Sequence, residues 1–291
     1  MKKIKRILCV LLAALILTVL LGTVPASAED EYEFPSDGCL NFLVMGDSIT
    51  EGFGVENSDE AGYARIVADT NGYNYVNLSR VATDTERLIY QIKNTDRFRE
   101  AIKWADVIHL SIGSNNYLAN DRVVLITIGA LLGINNRELD EIAEGIYEDY
   151  LTIIDLIREL NPDAKLIFDN VYCSWEGLGR IPFNKAVVRV NRALNRAQET
   201  KKDEFVIFDL ASVINGHGEL VAADSTHPNA KGNVEIAKAM LKFLKELGLG
   251  ENTEPVINAE GIDYNYFVEC FGTVAGTLIT AIVRVLTLHF Q

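Results

Sequence analysis

The stretch Leu40-Asn41-Phe42-Leu43-Val44-Met45-Gly46-Asp47-Ser48-Ile49-Thr50 decides the fold. Leu40 to Met45 is a short apolar run bounded by Gly38, which reads as a buried parallel strand. Glu51-Gly52-Phe53-Gly54 comes next, and its two glycines break any regular pattern. Ser48 therefore stands where a central strand ends and a turn begins. In open α/β sheets that rim is where ligands bind. A serine there presents its hydroxyl outward on a backbone too rigid to recoil. Taken alone, the stretch is equally a polar turn at a strand end.

Outward from it, strands and helices alternate. Helical spacing covers Gly62 to Thr70, Thr83 to Ile92, Thr95 to Trp104, Leu139 to Leu160, Asn184 to Glu199 and Asn229 to Leu247. Asn161-Pro162 stops the fourth of these, and Gly248 with Gly250 ends the last. Strand patterns cover Tyr73 to Leu78, Val107 to Ser111, Lys165 to Asn170 and Phe205 to Leu210. Such alternation indicates an α/β fold, a five-stranded parallel sheet covered by helices on both faces. Five strands suit a flavodoxin-like, doubly wound order. Arg122 to Ile134 is unusually apolar and leaves a strand end that should border the site. It reads either as an ordinary core helix or as the wall of an acyl pocket.

A further signal stands near the other end, Asp224-Ser225-Thr226-His227-Pro228. A serine is a poor nucleophile unless a base takes its proton, and histidine is the usual base. The histidine needs an acceptor that fixes its tautomer and stabilises its charged form. A carboxylate three residues earlier, on one tight turn, supplies that. His109, His217 and His289 read as core or surface residues.

These strings together resemble the GDSL family of esterases and lipases, the SGNH hydrolases. The first family block is Gly46 to Gly52, and Asn77-Leu78-Ser79-Arg80-Val81-Ala82-Thr83 is similar to the second. The third is Gly113-Ser114-Asn115-Asn116, and the fifth runs from Asp224 to His227. The resemblance spans roughly residues 40 to 247. It implies an α/β/α sandwich and a serine esterase with catalytic Ser48, His227 and Asp224. It nominates the backbone N–H groups of Ser48 and Ala82 and the side chain of Asn115 as the oxyanion hole. Ala82 departs from the family glycine, and alanine is strained if the backbone there needs positive φ. Asn116 replaces a family aspartate. Asp47, Arg80 and Asn116 are carried as candidate substrate contacts, Arg80 for a substrate anion.

The 291 residues, 48% of them hydrophobic, suit one large domain or one domain with an appendage. Residues 1–28 have a basic head, an apolar run and an Ala26-Ser27-Ala28 cleavage pattern, so they read as a secretory signal peptide. Cleavage near Ala28 takes the formal charge from −14 to −18. So acidic a surface argues against nucleic acid and anionic membranes as partners. The product is then expected outside the cell or at its surface. Residues 29–38 read as a linker, 39–250 as the hydrolase domain, and 251–291 as a linker with an apolar tail. Tyr266 to Phe290 is a docked helix, a membrane-associated tail or a strand. Cys39, Cys173 and Cys270 would remain, enough for one bridge at most. No Cys or His pair has ligand-like spacing, so neither metal nor cofactor is expected. The expected substrate is a lipid-like ester or a short acyl group on a polysaccharide. The alternative is a non-catalytic glycan- or lipid-binding module.

Overall fold

β1 (Asn41–Gly46) carries a parallel partner on each edge. β2 (Asn74–Asn77) flanks one edge, with Leu43 opposite Val76. β3 (Val107–Ser111) flanks the other, with Gly46 opposite Ser111. β4 (Lys165–Asp169) and β5 (Val206–Phe208) extend the sheet in parallel, giving the order β2-β1-β3-β4-β5. This is the flavodoxin-like order expected from the sequence. The structure is a computed structural model, which describes residues 34–257 apart from 36, 121–122, 135, 176–179 and 223. The segment read as a signal peptide, the start of the lead-in, Cys270 and the apolar tail lie outside the described residues.

Alternation along the strands builds two cores. Leu43, Met45, Ile108, Leu110, Leu166 and Phe168 face one way. They meet the helices Thr85–Asn94, Asp96–Trp104, Asn136–Leu160 and Arg180–Thr200. Phe42, Val44, Val107 and Ile167 face the other way, against Tyr63–Asn71, Leu210–Ile214 and Ala230–Glu246. The result is a three-layer α/β/α sandwich. His109 lies on the second face, fully buried as expected. Its Nε2 is 2.7 Å from Asp169 Oδ1, and Asp169 Oδ2 accepts the Tyr63 hydroxyl at 2.9 Å. A buried carboxylate is tolerable only with such partners.

Several boundaries shift for physical reasons. The helix expected from Asn184 begins at Arg180, because Pro182 sits in its first turn, where no intrahelical N–H is needed. β5 is only three residues long, since Asp209 caps a new helix by accepting the Ser212 N–H. Val123–Leu132 is a helix, with Ile126 and Ala130 buried in the first core. Leu132 and Ile134 stay exposed. Described residues on either flank of the domain pack on it. Phe34 packs on Trp104, ring centroids 5.3 Å apart, and Asn252 Nδ2 donates to the Thr70 carbonyl at 2.7 Å. Cys39 and Cys173 are free thiols. Among the described residues, no helix is long and apolar enough to cross a membrane.

Candidate active site

β1 ends at Gly46, which has φ of +134° and lies against β3. A Cβ on Gly46 would stand 2.1 Å from the Ser111 carbonyl oxygen, so only glycine fits. Asp47 follows, its N–H bonded to that same carbonyl at 2.9 Å. Its Oδ1 accepts the Ile49 N–H at 3.0 Å and so caps the short helix Ser48–Glu51. Ser48 is the first residue of that helix, and its N–H has no partner inside the helix.

The fifth block meets this point from the opposite side of the sequence. His227 Nε2 lies 2.7 Å from Ser48 Oγ, and His227 Nδ1 lies 2.5 Å from Asp224 Oδ2. With Nδ1–H donating to the carboxylate, Nε2 accepts the serine proton. The other carboxylate oxygen, Oδ1, accepts the backbone N–H groups of Thr226 at 3.0 Å and His227 at 3.1 Å. The turn is tight enough to place Ser225 at φ of +59°. Phe53 packs on the imidazole in a T-shaped arrangement, ring centroids 4.9 Å apart. Such a serine–imidazole–carboxylate series can move a proton off the hydroxyl as it attacks.

The second and third blocks border the same rim. Arg80 N–H bonds the Gly46 carbonyl at 3.0 Å, and Asn115 Nδ2 donates to the Thr83 carbonyl at 2.9 Å. Ala82 lies between these ties with φ of +62°. The strain foreseen for alanine at this position is therefore real, of order 1 kcal/mol. Each of the three nominated donors belongs to a segment anchored to β1 or β3.

One candidate substrate contact needs correction. Asp47 is 1% exposed, and both its oxygens are engaged, the second by the Ser114 hydroxyl at 3.1 Å. No face of it reaches a substrate. Burial pushes its pKa up to about 6. Asn116 accepts Thr85 N–H at 3.3 Å and donates to Thr85 Oγ1 at 2.7 Å, and it lines an open cavity together with Asn115. Arg80 is different. Its side chain is 59% exposed, in a loose 3.7 Å pair with Glu51, and it remains at the rim.

Sequence reasoning missed the segment after β4. Tyr172 Oη donates to the Thr226 carbonyl at 2.6 Å, and Ser174 Oγ to the Ser225 carbonyl at 2.7 Å. Trp175 Nε1 donates to Thr226 Oγ1 at 3.1 Å. Position was the available signal, because this chain also leaves the carboxyl end of a strand. Tyr172, Val171 and Phe183 line a mostly apolar cleft with Ile49, Leu118 and Leu210. Ile49 and Thr226, also in its lining, are the chain neighbours of Ser48 and His227.

Comparison with known proteins agrees with this architecture. No curated protein matches the sequence. Among solved structures, the lipase Lip_vut3 from a goat rumen metagenome is similar, with a TM-score of 0.57 and 18% identity over 73% of this chain and 99% of that one. Phospholipase A1 from Streptomyces albidoflavus NA297 gives a TM-score of 0.54 and 14% identity, over 72% and 99% of the two chains. A Clostridium thermocellum family 3 carbohydrate esterase gives 0.50 and 17%, over 73% and 99%. At these identities the likeness is one of fold. Residues 44–234 match the GDSL-like lipase/acylhydrolase family. The chain belongs to that family and is a carboxylic ester hydrolase.

Proposed function

We propose that this protein is a secreted serine esterase whose nucleophile is Ser48, with His227 as base and Asp224 as its orienting carboxylate. The observation that supports this reading is the unbroken series Ser48 Oγ, His227, Asp224 at 2.7 and 2.5 Å. Ser48 Oγ attacks the ester carbonyl while its proton passes to His227 Nε2. The Ser48 and Ala82 N–H groups and the second Asn115 amide hydrogen stabilise the oxyanion, each donor worth about a hundredfold in rate. The tetrahedral intermediate expels the alcohol, which takes the proton from His227. Water then repeats the sequence on the acyl-enzyme. The mostly apolar lining of the narrow cleft formed in part by Ile49 and Thr226, the chain neighbours of Ser48 and His227, supports an ester with an apolar acyl group. Export follows from the reading of residues 1–28 as a leader.

The test is hydrolysis of nitrophenyl esters of rising chain length by wild type and Ser48→Ala, with fluorophosphonate labelling of both. Wild type is expected to be labelled and active, and the variant neither. Equal rates from both would remove the mechanism. A folded wild type that resists the probe would favour the non-catalytic module. Activity confined to acetate would replace the lipid-like acyl group by a short one, as on an acetylated polysaccharide. Fractionation of cells with and without residues 266–291 tests association of the tail with membrane.

A further inference from the structure

We propose that Glu51 is a positioning residue, a strut from the Ser48 helix that keeps the Ala82 N–H turned toward the oxyanion. The inference rests on the reading of Ser48, His227 and Asp224 given above. Arg80 to Thr83 form a turn, closed by the Thr83 N–H on the Arg80 carbonyl at 3.2 Å. Backbone φ is positive at Ala82 and not at Val81, so the turn is type II. The peptide between Val81 and Ala82 carries the oxyanion donor. In a type I turn of the same four residues that peptide is turned over, and φ at the third residue is negative. Alanine favours the type I form by about tenfold, because the left-handed region brings its Cβ against backbone.

A left-handed alanine persists only when its surroundings over-determine it. Two bonds fix the ends of the turn, from the Arg80 N–H to the Gly46 carbonyl and from Asn115 Nδ2 to the Thr83 carbonyl. Both turn types share those ends, so neither bond selects between them. Asn77 ties Thr50 to Ser79, which sets where the turn starts but not which way its middle peptide faces. Glu51 acts further in. It is the last residue of helix Ser48–Glu51, so its side chain joins the nucleophile's own helix to the turn. Its Oε1 lies 3.7 Å from Arg80 Nη1. Burial raises the Glu51 pKa, while the Val81 N–H and the Arg80 guanidinium favour its charged form. Oε2 is buried without a hydrogen-bond partner. An unsatisfied carboxylate oxygen is costly, and such costs concentrate where function requires them. By holding Arg80 and Val81 against the Ser48 helix, Glu51 opposes the rotation that would release Ala82. The donor it secures acts on charge that develops only in the transition state, so the strut acts on kcat and not on KM.

The experiment measures kcat and KM on one nitrophenyl ester for Glu51→Ala, Glu51→Asp and Glu51→Gln, each made in wild type and in Ala82→Gly. Glycine accepts positive φ at no steric cost, so in that background the turn needs no strut. In wild type, Glu51→Ala and the shorter Glu51→Asp are expected to lower kcat about tenfold with KM unchanged. Glu51→Gln keeps the reach and the acceptor, and should stay within about threefold of its parent. In Ala82→Gly, Glu51→Ala and Glu51→Asp should each cost less than about twofold relative to that parent, the non-additivity expected of coupled residues. A second readout needs no turnover. A boronic acid that adds to Ser48 Oγ presents an oxygen to the same donors, so its Ki should rise about tenfold in Glu51→Ala and not when Ala82→Gly is added. An unchanged kcat in Glu51→Ala would overturn the proposal. So would equal losses in the two backgrounds, or a loss confined to KM. A Glu51→Gln as slow as Glu51→Ala would overturn it too, since charge and not reach would then matter. If Glu51→Ala does not fold, Glu51→Asp decides by the same comparison. If Ser48→Ala retains activity, the catalytic reading itself fails, an outcome separate from these.

Discussion

Replacing Asp47 with asparagine removes a buried negative charge while keeping the side chain's shape. The carboxylate is 1% exposed, and desolvation is the main cause of its raised pKa. The Ile49 N–H, the Ser114 hydroxyl and the nearby His227 pull the other way without restoring the ordinary value. A rise from 3.8 to about 6 on folding corresponds to about 3 kcal/mol of stability that the ionised form forgoes. Because the folded pKa is the higher, the stability contributed by the protonated acid is complete below about pH 4. It is lost as pH rises through about 6. Asp47→Asn stays neutral, its Oδ1 still accepts the Ile49 N–H, and its amide can donate to Ser114 Oγ. The variant is therefore expected to be more stable than wild type at pH 7 by up to about 3 kcal/mol, or roughly 6–12 °C in Tm for a domain of this size. Near pH 4 the two should coincide. Activity should move in the opposite direction. Asp47 and His227 are close enough to attract electrostatically, and the attraction grows as the imidazole takes the serine proton in the transition state, so kcat/KM should fall several-fold. Urea denaturation from pH 4 to 8, beside ester hydrolysis, measures both. Asp47→Asn that is no more stable at pH 7, or that gains equally at pH 4, refutes the reasoning.

Asn115→Ala should lower kcat by about a hundredfold with little change in KM, since it removes a donor that matters as charge develops. Steady-state kinetics decide it, and a change confined to KM would count against the assignment. Ala82→Gly should keep activity and raise stability by up to about 1 kcal/mol, because it relieves a left-handed alanine while retaining the N–H. A loss of stability in denaturant titration would contradict this. Tyr63→Phe should cost about 1–3 kcal/mol by stripping one donor from the buried Asp169. An unchanged unfolding midpoint would show that this bond is energetically silent.

The parts of the site legible in the sequence are those written as local strings. Gly46 to Gly52 and Asp224 to His227 each encode their own turn, so strand end, cap and imidazole geometry follow from a few adjacent residues. The positive φ at Ala82 was legible for the same reason, as a non-glycine residue in a glycine position. Alternation likewise announced the sheet, because strands buried on both faces leave continuous apolar runs. What escaped notice depends on partners distant in sequence. Asn116 is tied to Thr85, and Trp175 to Thr226, 31 and 51 residues away. Asp47 read as available because burial is a property of the packed chain, not of a dipeptide. The short helix after β5 was hidden inside an apolar run whose length suited a strand.

Gly46 sets the gauge of the whole centre. Because it has no side chain, the backbones leaving β1 and β3 emerge shoulder to shoulder, and the attacking hydroxyl and the Asn115 amide inherit their spacing from the sheet itself. The opposite bank, which includes Val171 and Phe183, is held by side-chain bonds instead of by strand pairing. Tyr172, Ser174 and Trp175 in this bank also hold the turn that carries His227, so changes among them alter substrate choice and the aim of the base together.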